Sequence, residues 1–154
     1  MRDFNEADRK KKSKRIRIQT NPANLSPKVL SRLEDAVKSA LKDGCLSCPT
    51  AWQIAKEANV PRIAIGEITD RLGIRISNCQ IGFFKVDKTP YDSSVHEDLD
   101  DQMNTILVGL NRDDQLTCAK VFDLTRQFNL KPIVLANAAN VRGLKINACQ
   151  LGCF

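Results

Sequence analysis

Two stretches of this chain align with each other without a gap. Residues 45–84 and 115–154 are related by an offset of 70, and ten of the forty aligned positions are identical. Both end on nearly the same phrase, which we name the first CQxG segment (Cys79–Phe84) and the second CQxG segment (Cys149–Phe154). A repeat of this length indicates a duplicated structural unit. The chain of 154 residues is therefore expected to form two small, similar units.

The basic charge of the chain lies mostly at its N-terminus. The net charge is +6, and residues 1–18 alone contain eight Lys/Arg and three Asp/Glu. This arm is predicted to be disordered in isolation, since it has few apolar residues. It either only keeps the chain in solution or lies on DNA phosphates. The second alternative makes these residues DNA contacts: Arg9, Lys10, Lys11, Lys12, Lys14, Arg15 and Arg17. No apolar run approaches the ~20 residues of a membrane span, so a cytoplasmic protein without membrane association is expected.

Each repeat is predicted to begin with an amphipathic helix. In the first repeat, Ser26 is a good N-cap, Pro27 suits the first helical position, and Gly44 is predicted to end the helix. In the second repeat the helix is predicted to start at Ser93 or Ser94 and to end near Asn111.

The next segment of each repeat has the spacing of two short helices joined by a tight turn. Around the small residue Ala55, apolar residues fall at Ile54, Ala58, Val60, Ile65 and Ile68, with Asn59 at the turn. Asn tolerates the left-handed conformation that such a turn needs. The second repeat has the same pattern at Leu124, Thr125, Phe128, Asn129, Leu130, Leu135 and Ala138.

A strand and a hairpin are predicted after the second helix of each pair. Gly73 and Gly143 are predicted to end these helices, and residues 74–76 and 144–146 alternate apolar and basic as a half-exposed strand does. The CQxG segments are predicted to form a turn and a returning strand. Helix, short strand, two helices and hairpin, in this order, resemble the winged helix-turn-helix family over residues 26–87 and 95–154. The predicted fold is therefore mainly α with small β-hairpin wings (α+β), with an arm (1–25) and two repeats (26–91 and 92–154).

The resemblance implies binding to double-stranded DNA through the second helix of each pair and the strand that follows it. On the first such helix, Gly66, Glu67 and Asp70 are predicted to face outward, and two carboxylates there disfavour phosphate binding. The corresponding helix of the second repeat has a polar, neutral outward face, which is better suited to hydrogen bonding with DNA bases. The predicted contacts are Arg62, Arg71, Arg75, Asn137, Asn140, Arg142 and Lys145. A DNA-binding regulator or accessory factor is the function that this pattern favours.

A different function follows if the same helices bind protein. Ile63 and Ile133 occupy equivalent positions where a DNA reader usually has a polar side chain. They either pack within the protein or form an apolar docking surface, as in a non-enzymatic interaction module attached to a metalloenzyme. A homodimer is compatible with either reading.

The six cysteines fall three to each half: Cys45, Cys48, Cys79, Cys118, Cys149 and Cys153. Cys48, Cys79, Cys118 and Cys149 are expected to be small buried thiols. Each half is one ligand short of a structural zinc site. A zinc or iron–sulfur site, or a redox sensor, is the alternative. No nucleophile–base pair, phosphate-binding Gly loop or recurring carboxylate pair is present, so the sequence predicts no enzyme.

Overall fold

The computed structural model describes residues 18–83 and 116–154, together with single positions at 6, 105 and 108. The chain divides into two compact units. Unit 1 consists of Met1–Cys79 and Cys149–Phe154, and unit 2 consists of Gln80–Ala148. The basic arm (residues 9–17) and the predicted boundary near residue 91 lie outside the described residues, as does the predicted second-repeat helix (residues 93–111) apart from positions 105 and 108.

Helix α1 (Pro27–Ser39) opens the described part of unit 1 as predicted. Ser26 is its N-cap, and the Ser26 Oγ accepts a hydrogen bond from the Val29 N–H at 3.4 Å. The helix buries Leu33 and Val37. The prediction that Gly44 ends this helix is wrong, because the helix already ends at Ser39. Gly44 instead has φ +71° in a tight turn that brings Lys42 beside Cys45.

Unit 1 continues with β1 (Cys45–Ser47), α2 (Cys48–Glu57), α3 (Arg62–Arg71) and β2 (Arg75–Ser77). The predicted turn between the two helices is confirmed. Asn59 has φ +53°, and the Val60 N–H donates to the Ala55 carbonyl at 2.9 Å. This six-residue bond is the Schellman closure of a helix C-terminus. Ala58, predicted to be apolar contact within the pair, is exposed instead.

Unit 2 repeats the arrangement with β3 (Leu116–Thr117), α4 (Cys118–Gln127), α5 (Pro132–Val141) and β4 (Ile146–Asn147). Asn129 has φ +52°, and the Leu130 N–H donates to the Thr125 carbonyl at 2.8 Å. Leu135 and Ala139 are fully buried. The described parts of the two units therefore share one local design, and the offset of 70 is an offset in structure as well.

The strands form two small parallel sheets, one in each unit. In unit 1 Leu46 pairs with Ile76, and in unit 2 Leu116 pairs with Ile146. Parallel neighbours need a crossover connection, which the two helices supply. The fold is thus α+β, with helices that outweigh two minimal sheets.

The predicted hairpin wings are wrong within the described residues. Residues 78–83 and 148–154 form turns and bends rather than a returning strand. The reason is a backbone reversal directly after each sheet: Asn78 has φ +49° and Ala148 has φ +52°. Each CQxG segment is thereby directed onto a helix. The second CQxG segment groups with unit 1, whereas Gln80 and the residues after it group with unit 2.

Candidate nucleic-acid interface

The predicted DNA contacts on α3 are already engaged inside unit 1. The Arg62 guanidinium carbon lies 3.5 Å from the centroid of the Trp52 ring, a cation–π arrangement. The same guanidinium donates a hydrogen bond to the Gln150 side-chain oxygen. One face of the group lies on the Trp52 ring, one of its N–H groups is bonded to Gln150, and Arg62 is half-buried, so Arg62 is held within unit 1.

The outward face of α3 is covered by the second CQxG segment. A Cβ added at Gly66 would overlap the Leu151 carbonyl oxygen, and a Cβ at Gly152 would lie 3.0 Å from the Ile63 Cδ1. Leu151 is only 1% exposed. The prediction that Gly66 faces outward is wrong for this reason. The middle of α3 has no room for a DNA groove while this segment is in place.

Arg71 serves as an ion-pair centre between α1 and α3. Its guanidinium lies 2.7 Å from a Glu34 carboxylate oxygen and 3.3 Å from one of Glu67. The hydrogen bond to Glu34 raises the pKa of Arg71 above its ordinary value, and the Glu67 charge adds to this despite partial desolvation. Glu67, predicted to face outward, is 6% exposed. Arg75, the third predicted contact of this unit, is half-buried on β2.

Helix α5 is covered in a similar way near its start. A Cβ at Gly82 would lie 3.2 Å from the Ile133 side chain and 4.0 Å from the Asn137 Oδ1. Ile81 is 3% exposed. Ile133 and Asn137 are therefore both half-buried. Ile63 and Ile133 contact the glycines of CQxG segments, which agrees with the reading that they pack within the protein.

The remaining predicted contacts of unit 2 lie on exposed surface at the end of α5. Asn140, Arg142 and Lys145 are all exposed. Lys131, which is not among the predicted contacts, is exposed at the N-cap of the same helix. We call these four residues the α5 rim. Residues 116–154 contain five Lys/Arg and a single acidic residue, Asp123. The net charge of the whole second half does not show this excess of basic residues, because most of its acidic residues lie before residue 115.

Two residues that contact Arg62 were not among the predicted site residues. Trp52 lies half-buried beneath Arg62, and the Gln150 side-chain oxygen accepts a hydrogen bond from it. The presence of Gln at the equivalent positions 80 and 150 of both repeats was the sequence signal that could have indicated a contact for this side chain. Arg62 is replaced by Pro132 in the second repeat, so this bond has no counterpart in unit 2.

All six cysteines are thiols without a disulfide. Cys48, Cys79 and Cys118 are buried, and the other three are half-buried. Within residues 18–83 and 116–154, no three His, Cys, Asp or Glu side chains are grouped so that they could hold a metal ion. In the second CQxG segment, the Cys149 Sγ accepts a hydrogen bond from the Leu151 N–H at 3.4 Å. This contact gives one cysteine of the phrase a role in shaping a turn.

None of the helices in the described part of the chain has the length and apolar character that crossing a membrane requires. No protein-family model, curated protein or solved structure matches the chain.

Proposed function

We propose that the protein is a non-enzymatic, double-stranded-DNA-binding regulator or accessory factor, and that unit 2 supplies its folded contact surface. The observation that carries this proposal is the α5 rim. Its three cations are exposed in a segment with only one acidic residue. Affinity for DNA comes largely from such cations, which neutralise phosphates and release counterions.

The spacing of the rim suits a duplex. Lys131 and Arg142 cap the two ends of the ten-residue α5. A helix of this length is about 15 Å long. The major groove of DNA is about 12 Å wide, so cations at both ends of such a helix can reach phosphates on its two edges. Asn140 lies in the last turn, where an amide can hydrogen-bond to a base edge.

The α3 residues have a different role in this proposal. Arg62 and Arg71 are engaged by Gln150 and by Glu34 with Glu67, respectively. We therefore assign them to the stability of unit 1 and leave DNA contact to the rim and to the basic arm.

The test is a fluorescence-anisotropy titration of the full chain against a random-sequence duplex at several salt concentrations. Replacing Lys131, Arg142 and Lys145 with Gln is expected to lower the affinity by on the order of tenfold or more, and to reduce the slope of log K against log salt by about 2–3. The matched control replaces three exposed lysines of unit 1, Lys28, Lys42 and Lys56, with Gln. If both variants lose the same amount of affinity, the effect comes from net charge alone, and the assignment of the DNA contact to α5 is overturned.

A second candidate function is an interaction module that binds peptide segments. The observation that favours it is that α3 already holds a short peptide, the second CQxG segment, through apolar and polar contacts together. If the full chain does not bind the duplex, this second function replaces the first.

A further inference from the structure

Unit 1 is built from two separate stretches of the chain, and the second CQxG segment is the shorter one. Unit 1 is built from Met1–Cys79 and Cys149–Phe154, and all of the intervening chain belongs to unit 2. The last six residues are therefore connected to the rest of unit 1 only through unit 2. A segment attached in this way occupies its site as an intramolecular ligand does.

The site on α3 has features of specific recognition. Gly66 leaves space for the backbone of Leu151, whose Cα would lie 3.1 Å from any Cβ at that position. Gly152 fits against Ile63 and Ile18, where a side chain at residue 152 would lie 2.6 Å from the Ile18 Cδ1. Arg62, placed on the Trp52 ring, binds the Gln150 side chain. Different residues of the site thus contact the backbone, the glycine and the side-chain amide of the segment.

The segment also holds its own shape. The Gly152 N–H donates to the Cys149 carbonyl at 2.8 Å, and the Cys149 N–H donates to the Phe154 carbonyl at 2.9 Å. A peptide that closes on itself in this way loses less conformational entropy when it binds than an extended one does. It can therefore dock as a preformed turn.

We propose that the α3 face is a binding site for the second CQxG segment of another copy of this chain, so that two copies exchange their last six residues. Exchange of an identical element keeps every contact of the closed form and changes only the hinge. The hinge is Ala148, the residue before the segment, whose φ of +52° is unfavourable for a side chain other than Gly or Asn. Opening the hinge releases that strain, and this favours the exchanged dimer at high protein concentration.

The first experiment uses two full-length variants that complement each other. Gly66→Ala blocks the site, and Leu151→Asp blocks the segment. Each variant alone is expected to be monomeric by light scattering after size exclusion, whereas the unmodified chain forms a dimer as its concentration rises. An equimolar mixture of the two variants is expected to form a heterodimer, because one intact site meets one intact segment. A mixture that stays monomeric, together with an unmodified chain that is monomeric at every concentration, overturns the proposal.

A second measurement addresses the possibility that a variant is misfolded. A fluorescent peptide of residues 147–154 is titrated, under reducing conditions, onto the full-length Leu151→Asp chain, whose site is vacated. The peptide is expected to bind, and Gln150→Ala in the peptide is expected to weaken binding about tenfold. That difference should vanish on a chain that also carries Arg62→Ala. No binding, or the same loss on both chains, contradicts the recognition site. DNA affinity is not part of either readout, so the two proposals can fail separately.

Discussion

Ala148 holds a left-handed backbone conformation that its Cβ disfavours by about 1 kcal/mol or more. The equivalent residue of the first repeat is Asn78, with nearly the same φ of +49°. Asn tolerates this region, and both positions are exposed. We therefore expect Ala148→Asn to raise the free energy of unfolding by about 0.5–1 kcal/mol, and Asn78→Ala to lower it by a similar amount. Urea denaturation measures both changes.

The control for this prediction is Ala119→Asn. Ala119 is exposed within α4, where Asn is a poorer helix former than Ala by up to about 0.7 kcal/mol. The midpoints of the Ala148→Asn and Ala119→Asn variants should therefore move in opposite directions. A shift of both in the same direction would show that the effect comes from the added amide rather than from the backbone.

At the level of elements, Arg71 fastens α1 to α3 through Glu34 while it neutralises the buried Glu67. Arg71→Met leaves the Glu67 carboxylate without its ion-pair partner in a buried position, which costs about 1–3 kcal/mol. The loss should shrink in a Glu67→Gln background, as a double-mutant cycle would show. Since the pKa of Arg71 is raised above its already high ordinary value, its contribution is lost only at strongly alkaline pH. The cost is therefore expected to be constant between about pH 6 and pH 9.

Arg126 offers a matched comparison for this ion pair. Its guanidinium lies 2.6 Å from an Asp123 oxygen, but both side chains are more than two-thirds exposed. Exposed pairs contribute about 0–1 kcal/mol because solvent screens them. Arg126→Met should therefore cost less than Arg71→Met. Equal costs would mean that burial of Glu67 does not control the stability of the α1–α3 contact.

The sequence predicted the elements whose geometry is set by neighbouring residues. Ser26 as a cap, and Asn59 and Asn129 in left-handed turns, depend on contacts within about six residues. The prediction of returning strands was wrong because the CQxG segments pack on helices far away in sequence. The sequence of a turn does not show which distant helix it contacts. The outward position of Glu67 was wrong for a related reason: the helical period of α3 does not show that α1, which carries Glu34, packs against it beside Arg71.

The candidate site was predicted in part for the same reason. Asn140, Arg142 and Lys145 are exposed as expected, since they lie at a helix end where no later segment covers them. Arg62 and Asn137 were assigned to the same surface by helical period, but each lies beneath or beside a CQxG segment. Helical periodicity identifies which face of a helix points away from the other helix of its pair. It does not identify what covers that face.

For the whole molecule, the proposed division of labour between arm and folded units can be measured. The arm holds seven Lys/Arg between residues 9 and 17. A chain that starts at residue 18, and so keeps Ile18 beside Gly152, is expected to retain binding to a random duplex. The slope of log K against log salt should fall by a few units, up to about 6 if every arm cation contacts a phosphate. The residual slope should then fall further when Lys131, Arg142 and Lys145 are changed to Gln.

A graded arm variant separates contact from net charge in this experiment. Replacing Lys10, Lys11 and Lys12 with Gln removes three of the seven cations, so a proportional part of the slope should be lost. Because long-range attraction is screened beyond about 10 Å at 0.1 M salt, an arm that acts only through net charge would lose its effect there. If the truncated chain binds no duplex even at low salt, the folded units are not DNA readers. Peptide binding by α3 then becomes the primary function of the protein.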